Sequence, residues 1–166
     1  MEWRISHRFD PAACAIADRH YNRQKIGTPQ FVPPGRCLVL LAPGPALWVT
    51  SWPFAEFTQH AWAGAWVCSA FRREGGAQAS LMIREAVAAT IAYFGAPPPL
   101  GMITFIDRRQ VPPLHTRTGD MWGYTYRRAG FVDAGETKGG LLALQLWPNA
   151  MPASEAALQS QGRLFA

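Results

Sequence analysis

Arg72-Arg73-Glu74-Gly75-Gly76-Ala77 stands where an aromatic and apolar run gives way to a helical one. A strand that passes into a helix through a glycine-bearing turn leaves the first amide N–H groups of the helix unpaired. With the positive end of the helix dipole, those donors suit a pyrophosphate. Gly75 and Gly76 lack Cβ atoms, so a phosphate can approach their main chain closely. No Gly-Lys-Ser/Thr follows, which excludes a Walker loop, and the spacing is not that of the dinucleotide fingerprint G-x-G-x-x-G. An ordinary strand-to-helix turn needs the same residues, so the hexapeptide alone leaves both readings open.

Three further groups carry chemistry. His20 and Tyr21 end a short helical pattern on or beside its buried side. They read either as a satisfied core pair or as a polar pair at a cavity edge, able to orient a substrate or move a proton. Arg23, Lys25 and Arg36 lie in a proline- and glycine-rich loop with Gln30 and Phe31 between them. That mixture suits a nucleic-acid backbone and a stacked base, or simply a solvated loop. Arg108, Arg109, His115 and Arg117 form a second basic loop over Arg108–Asp120.

The elements that must position these groups are legible from periodicity and punctuation. Trp3–Ile5 reads as a first strand. Asp10-Pro11 reads as an N-cap and first helical position for a helix running to about Asn22. Cys37–Ala42 and Ala46–Ser51 flank Pro43-Gly44-Pro45 as an antiparallel hairpin, and Pro53–His60 is a linker with room for one helical turn. Trp62–Phe71 is expected as a buried strand before the glycine turn. Gln78–Phe94 follows as a helix with Ile83, Val87, Ile91 and Phe94 on one face. Met102–Ile106 is a strand ending in Asp107, Trp122–Ala129 a short helix closed by Gly130, and Leu141–Leu146 an interior strand. The expected class is α/β (α+β), a mixed central sheet flanked by helices. It forms a single domain over residues 1–150, with a peripheral tail over 151–166. In such sheets the binding crevice lies at the carboxyl ends of the parallel strands, which places Asp107 beside the Gly75 turn.

The chain has 166 residues, 49% of them apolar, enough for one substantial core. A net charge of +5 favours an anionic partner, nucleic acid or a phosphorylated cofactor. Cys14, Cys37 and Cys68 are widely spaced and form no C-x-x-C, which argues against a disulfide framework and a zinc-thiolate site and favours a reducing cytosol. No apolar run nears the roughly 18 residues of a membrane span, and the first residues lack the apolar stretch of a signal peptide. The expectation is a soluble, cytoplasmic protein.

The order of elements, with Arg72, Gly75 and Ala77 filling Arg/Gln-x-x-Gly-x-Gly/Ala, resembles the GNAT N-acyltransferase superfamily. Tyr126-Arg127-Arg128-Ala129-Gly130-Phe131 matches that family's Tyr-x-x-x-Gly-Phe. The resemblance covers residues 37–146. It implies a GNAT-like fold and acetyl-CoA or a related acyl donor, held by Phe71, Arg72, Arg73, Gly75, Gly76, Ala77 and Tyr126. It also implies that Tyr126 protonates the departing thiolate. Within that superfamily the chain is similar to the Mom-type DNA-modification proteins of bacteriophages, on His20-Tyr21, the basic loop after them, Arg73 and Asp107. That likeness implies an enzyme that alters the exocyclic N6 amine of adenine with an acetamido or carbamoylmethyl-type group. It further implies a protein that shields phage DNA from restriction nucleases inside the host cytoplasm.

Catalysis is then expected from His20, Tyr21, Arg73, Asp107 and Tyr126, with Asp120 as the alternative acid to Asp107. DNA contacts fall to Arg23, Lys25, Arg36, Arg108, Arg109 and Arg117, around an adenine flipped out of the duplex. Direct transfer from acetyl-CoA does not make a carbamoylmethyl group. That leaves either a different donor or later chemistry with a metal such as iron at His20, Tyr21 and an aspartate. Two other readings share these residues: a conventional GNAT enzyme acting on a small amine or a protein, and a non-catalytic nucleic-acid-binding module on a GNAT scaffold. The oligomeric state stays open, a dimer included.

Overall fold

Alternating apolar residues build the centre of the sheet. In the computed structural model, which describes residues 1–160, β2 (Arg36–Ala42) and β3 (Ala46–Trp52) pair antiparallel from Arg36–Trp52 to Ala42–Ala46. Leu38, Leu40 and Trp48 point to one face and Val39, Leu47 and Val49 to the other, as a period of two requires. Each face is covered by a helix. The 16-residue α2 (Ala79–Phe94) lays Met82, Ile83, Ala86 and Val87 on the first face, and α1 (Pro11–Ala17) lays Ala13, Ile16 and Ala17 on the second. The Trp3 indole locks the first layer by donating to the Met82 carbonyl at 2.8 Å.

The complete sheet has seven strands in the order β1-β2-β3-β4-β5-β9-β8. Its remaining members are β1 (Arg4–Ile5), β4 (Trp66–Arg73), β5 (Met102–Ile106), β8 (Val132–Glu136) and β9 (Leu142–Leu146). Among these strands β4 and β5 pair parallel and the other pairs are antiparallel, with one isolated parallel bridge from Arg4 to Leu158. A separate hairpin, β6 (Leu114–Thr116) with β7 (Gly119–Met121), and the short α3 (Tyr124–Arg128) complete this α+β domain.

Several expectations change. The strand expected from Trp62 begins at Trp66, because Trp62–Gly64 turn and the Ala65 amide bonds back to the Trp62 carbonyl. The first helix stops at Ala17 rather than near Asn22, with Asp18 as its C-cap. The Asp18 carboxylate is held by Arg23 and the Gly27 amide, so His20 and Tyr21 sit on a turn. The loop expected over Arg108–Asp120 contains the β6–β7 hairpin. β8 was not anticipated: Val132-Asp-Ala-Gly-Glu is polar, interrupted by a bulge, and largely exposed at the sheet edge. Of the tail expected over 151–166, Leu158 pairs with the main chain of β1, Ala157 is buried, and the Glu155 amide bonds to Ala88 of α2. Residues 161–166 lie outside the described residues. Among the described residues no helix is long and apolar enough to cross a membrane.

Candidate functional site

Ser69 opens the site. The β3–β4 register passes from Thr50–Cys68 to Val49–Ala70, leaving Ser69 as the extra residue of a bulge. A bulge bends its strand and breaks a ladder, and here β4 leaves β5 at once: their last pair is Cys68–Thr104. From Ala70 to Arg73, β4 is paired with β3 and, among the described residues, with no second strand, so the two parallel strands diverge as a fork. At its crotch the Thr104 hydroxyl donates to the Cys68 carbonyl at 3.2 Å.

The turn after α1 crosses this fork. Asn22 donates its amide nitrogen to the Ser69 carbonyl on β4 at 2.8 Å, and the Tyr21 hydroxyl donates to the Phe105 carbonyl on β5 at 3.3 Å. His20 stacks on Tyr21 with ring centroids 4.7 Å apart. The Asn22 main-chain N–H approaches His20 Nδ1 at 3.2 Å, so Nδ1 accepts and the ring proton of the neutral imidazole resides on Nε2. Burial lowers the His20 pKa, the neighbouring Arg72 guanidinium adds to this, and burial likewise raises the Tyr21 phenol.

A cavity of about 640 Å³ lies against the fork on the α2 side and another of about 870 Å³ on the α1 side. They share His20, Tyr21, Asn22, Cys68, Ser69, Ala70 and Phe105, so the two cavities meet the same residues at the fork. The first is lined also by Phe71, Arg72, Arg73 and Tyr126, the second by Lys25, Gln30, Phe31, Asp107 and Gln110.

Tyr126 forms the floor of the first cavity. Gly130, at φ +107°, turns the chain after α3 and returns Phe131 against the Tyr126 ring at 5.3 Å. Phe71 packs on it at 6.2 Å, and the hydroxyl lies 3.6 Å from Cys68 Sγ. Burial pushes the phenol well above its ordinary pKa and the Cys68 thiol up to about 12. Both stay protonated, so Tyr126 is present as a phenol with a hydrogen to donate, though a weaker acid than a free one, and Cys68 is inert as a nucleophile.

The glycines of the turn have a structural task. A Cβ on Gly75 would stand 2.7 Å from the Gly44 carbonyl oxygen, and one on Gly76 2.8 Å from that of Pro43. Their bare faces therefore meet the β2–β3 turn. The N-terminus of α2 has no side-chain cap and no acid in its first turn. Arg73 is exposed, reaches the Ala77 carbonyl at 3.2 Å and faces the first cavity. Arg72 is turned onto Glu74, which also binds Arg19. Ala77 packs on the main core.

Of the expected catalytic set, His20 and Tyr21 sit at the crossing, Arg73 and Tyr126 on the first side, and Asp107 on the second. Asp107 is a poor base: Arg109 bridges both its oxygens at 2.8 and 3.0 Å, Gln110 adds a 3.0 Å bond, and the guanidinium holds the acid far below the carboxylate range. Asp120 pairs with His115 at 2.6 Å in the β6–β7 hairpin and lines neither cavity.

Four of the basic residues expected to meet DNA are engaged within the chain. Arg23 pins its own loop through Asp18 and the Gln30 carbonyl, Arg36 lies 3.8 Å over the Trp52 ring, and Arg108 and Arg109 pair with Glu136 and Asp107. Lys25 is exposed at the second cavity and Arg117 on the hairpin. Of the groups expected to hold a metal, His20 Nδ1 accepts from the Asn22 amide and both Asp107 oxygens accept from Arg109, with Gln110 on the second. Among the described residues no three His, Cys, Asp or Glu side chains converge.

Sequence reading missed Asn22, Ser69 and Thr104. A signal existed for the last two, each a hydroxyl residue in an otherwise apolar strand. Asn22 carried none. No family model, curated protein or solved structure matches the chain.

Proposed function

We propose that this is a GNAT-like acyltransferase taking its donor, acetyl-CoA or a related thioester, from the α2 side of the fork and its acceptor amine from the α1 side. The observation that carries the reading is the bulge-generated gap between β4 and β5, open to a cavity on each face with His20 and Tyr21 at the crossing. The fit of the donor is supported by Arg73, which lines the first cavity and is free to meet a phosphate, and by an α2 N-terminus without a side-chain cap further along the chain, at Gln78 and Ala79. When bound, the thioester supplies an electrophilic carbonyl carbon, to which the amine nitrogen bonds as the carbon–sulfur bond breaks. Tyr126, protonated and beside the crotch, gives its proton to the departing sulfur. His20, held neutral by burial, takes the amine proton at Nδ1, replacing its 3.2 Å contact with the Asn22 amide. Tyr21 and Asn22 keep the two strand ends at a fixed separation.

The acceptor we favour is the exocyclic N6 amine of adenine in DNA, the reading that makes the protein an agent of protection against restriction nucleases. Its support is the second cavity, where Phe31 offers a stacking face and Asn22, Gln30 and Gln110 offer amides to a planar base beside the exposed Lys25. A second reading, acylation of a small-molecule or protein amine, is favoured by the internal pairing of Arg23, Arg36, Arg108 and Arg109. The deciding experiment is mass spectrometry of nucleosides from bacterial DNA after expression of the protein, alongside Tyr126→Phe. A heavier deoxyadenosine with the native chain, reduced in the variant, supports DNA modification, and its mass identifies the group. Unmodified DNA, together with turnover of acetyl-CoA on free amines, establishes the second reading.

A further inference from the structure

Arg19, Glu74 and Arg72 form a cluster beside the first cavity; the sequence assigns Arg72 alone to the donor, and nothing above gives Arg19 or Glu74 a task. Glu74 accepts a two-pronged contact from Arg19, with Nε–Oε1 at 2.6 Å and Nη2–Oε2 at 2.9 Å, and a third bond from Arg72 Nε to Oε1 at 2.8 Å. Arg19 comes from the turn after α1 and Arg72 from the end of β4, so one carboxylate adds a second link between these elements beside the Asn22–Ser69 bond. Each element holds its arginine firmly: Arg19 Nη1 also donates to the Ala15 carbonyl at 2.8 Å, and Arg72 lies in the β3–β4 ladder opposite Leu47. Both arginines line the first cavity, as does Arg73. Two guanidinium groups around one carboxylate are an anion-binding site with an internal occupant.

We infer that Arg19 and Arg72 are a binding site for the phosphate groups of the donor, and that Glu74 is a built-in competitor which those phosphates displace. The inference deepens the proposed function and rests on it for the identity of the donor. Three features favour exchange over a fixed ion pair. The cluster carries two positive charges and one negative, so it retains attraction for a further anion. A diphosphate brings more charge and more acceptor oxygens than a carboxylate, and guanidinium groups bind both geometries. The three residues are also partly exposed, at 46, 33 and 24% of the side-chain surface for Arg19, Arg72 and Glu74, where exposed ion pairs are weak and exchange readily. The Glu74 main chain stays tethered through its amide to the Pro45 carbonyl at 2.9 Å, so only the side chain has to swing. Arg19 thereby becomes a specificity-determining residue for a phosphorylated donor.

The test is isothermal titration of the native chain, Glu74→Gln and Arg19→Ala with coenzyme A and, separately, with inorganic pyrophosphate. A competitor and a scaffold predict opposite signs for Glu74→Gln. Displacement requires that this variant bind pyrophosphate and coenzyme A about three- to tenfold more tightly than the native chain, and that Arg19→Ala bind both more weakly by a similar factor. Equal or weaker binding by Glu74→Gln overturns the inference, because Glu74 is then positioning the arginines. Tightened pyrophosphate binding with no binding of coenzyme A supports the anion site while sinking the coenzyme A reading. Failure of native chain and Glu74→Gln alike to bind either probe overturns both. On the native chain, which needs no substitution, pyrophosphate must shift the Arg19 and Arg72 Nε–H resonances together, and their constancy at saturation equally refutes displacement.

Discussion

Tyr126 and Asp107 show how differently the surroundings treat two groups that sequence reading placed in one active site. Tyr126 is enclosed by Phe71 and Phe131 and keeps its proton, so its phenol is a donor at any working pH. Tyr126→Phe retains the ring packing and removes only that proton. Turnover of acyl donor is expected to fall about 10- to 100-fold with little change in donor affinity, and steady-state kinetics beside titration checks both halves. Asp107 is instead a structural anchor for the segment after β5. Its acid is depressed in the folded state, so its stabilisation is full above the unfolded carboxylate value near pH 4 and is lost as pH falls below that. Melting temperatures measured from about pH 6 down to pH 2 should fall less steeply for Asp107→Asn than for the native chain. The Tyr126 motif was legible because the spacing to Gly130 and Phe131 encodes the packing directly. The fate of Asp107 was not, since its partner Arg109 looks from sequence like one more surface cation.

At the scale of elements, the glycine turn and the β2–β3 turn are one unit. Gly44 would meet the Gly75 carbonyl oxygen at 2.6 Å, and Gly75 would meet that of Gly44 at 2.7 Å, so neither accepts a side chain without backbone movement. Gly75→Ala is expected to destabilise the fold by about 1–3 kcal/mol, read as a lower urea midpoint with an unchanged slope. If stability is unchanged while donor binding collapses, the glycine serves the ligand and not the hairpin. Sequence reading found this turn but assigned its glycines to a phosphate, because nothing in Pro43-Gly44-Pro45 announces a contact some thirty positions away. The strands with apolar alternation or continuity, β2, β3, β5 and β9, were all legible. β8 was not, because an exposed edge strand with a bulge and a glycine carries neither pattern. The early end of α1 had a local cause, Asp18, whose side-chain bonds go to Arg23 and Gly27 beyond the helix.

The whole molecule is two antiparallel ribbons, one of β1–β4 and one of β5, β9 and β8. Their strands are laced by the pairs Trp66–Met102, Val67–Ile103 and Cys68–Thr104. Tyr21 and Asn22 tie their diverging ends, and residues 155–158 pass from the second ribbon back to α2 and β1. Removing one tie should loosen the seam more than it loosens either ribbon. Asn22→Ala is therefore expected to speed amide exchange around Phe105 and Thr104, at the seam, while Val39 and Leu47 keep their protection. Uniform acceleration across all strands would show that the ribbons do not move as separate units. The seam also coincides with the order of the chain, since the first ribbon ends at Arg73 and the second begins at Met102, with α2 between them. A backbone cut in the Gly95–Pro99 connection would thus leave each ribbon intact in its own fragment. The protein could then serve as a two-part reporter, its halves reassociating through the α2 core and the C-terminal crossing, with occupancy of the fork read out as the strength of their reunion.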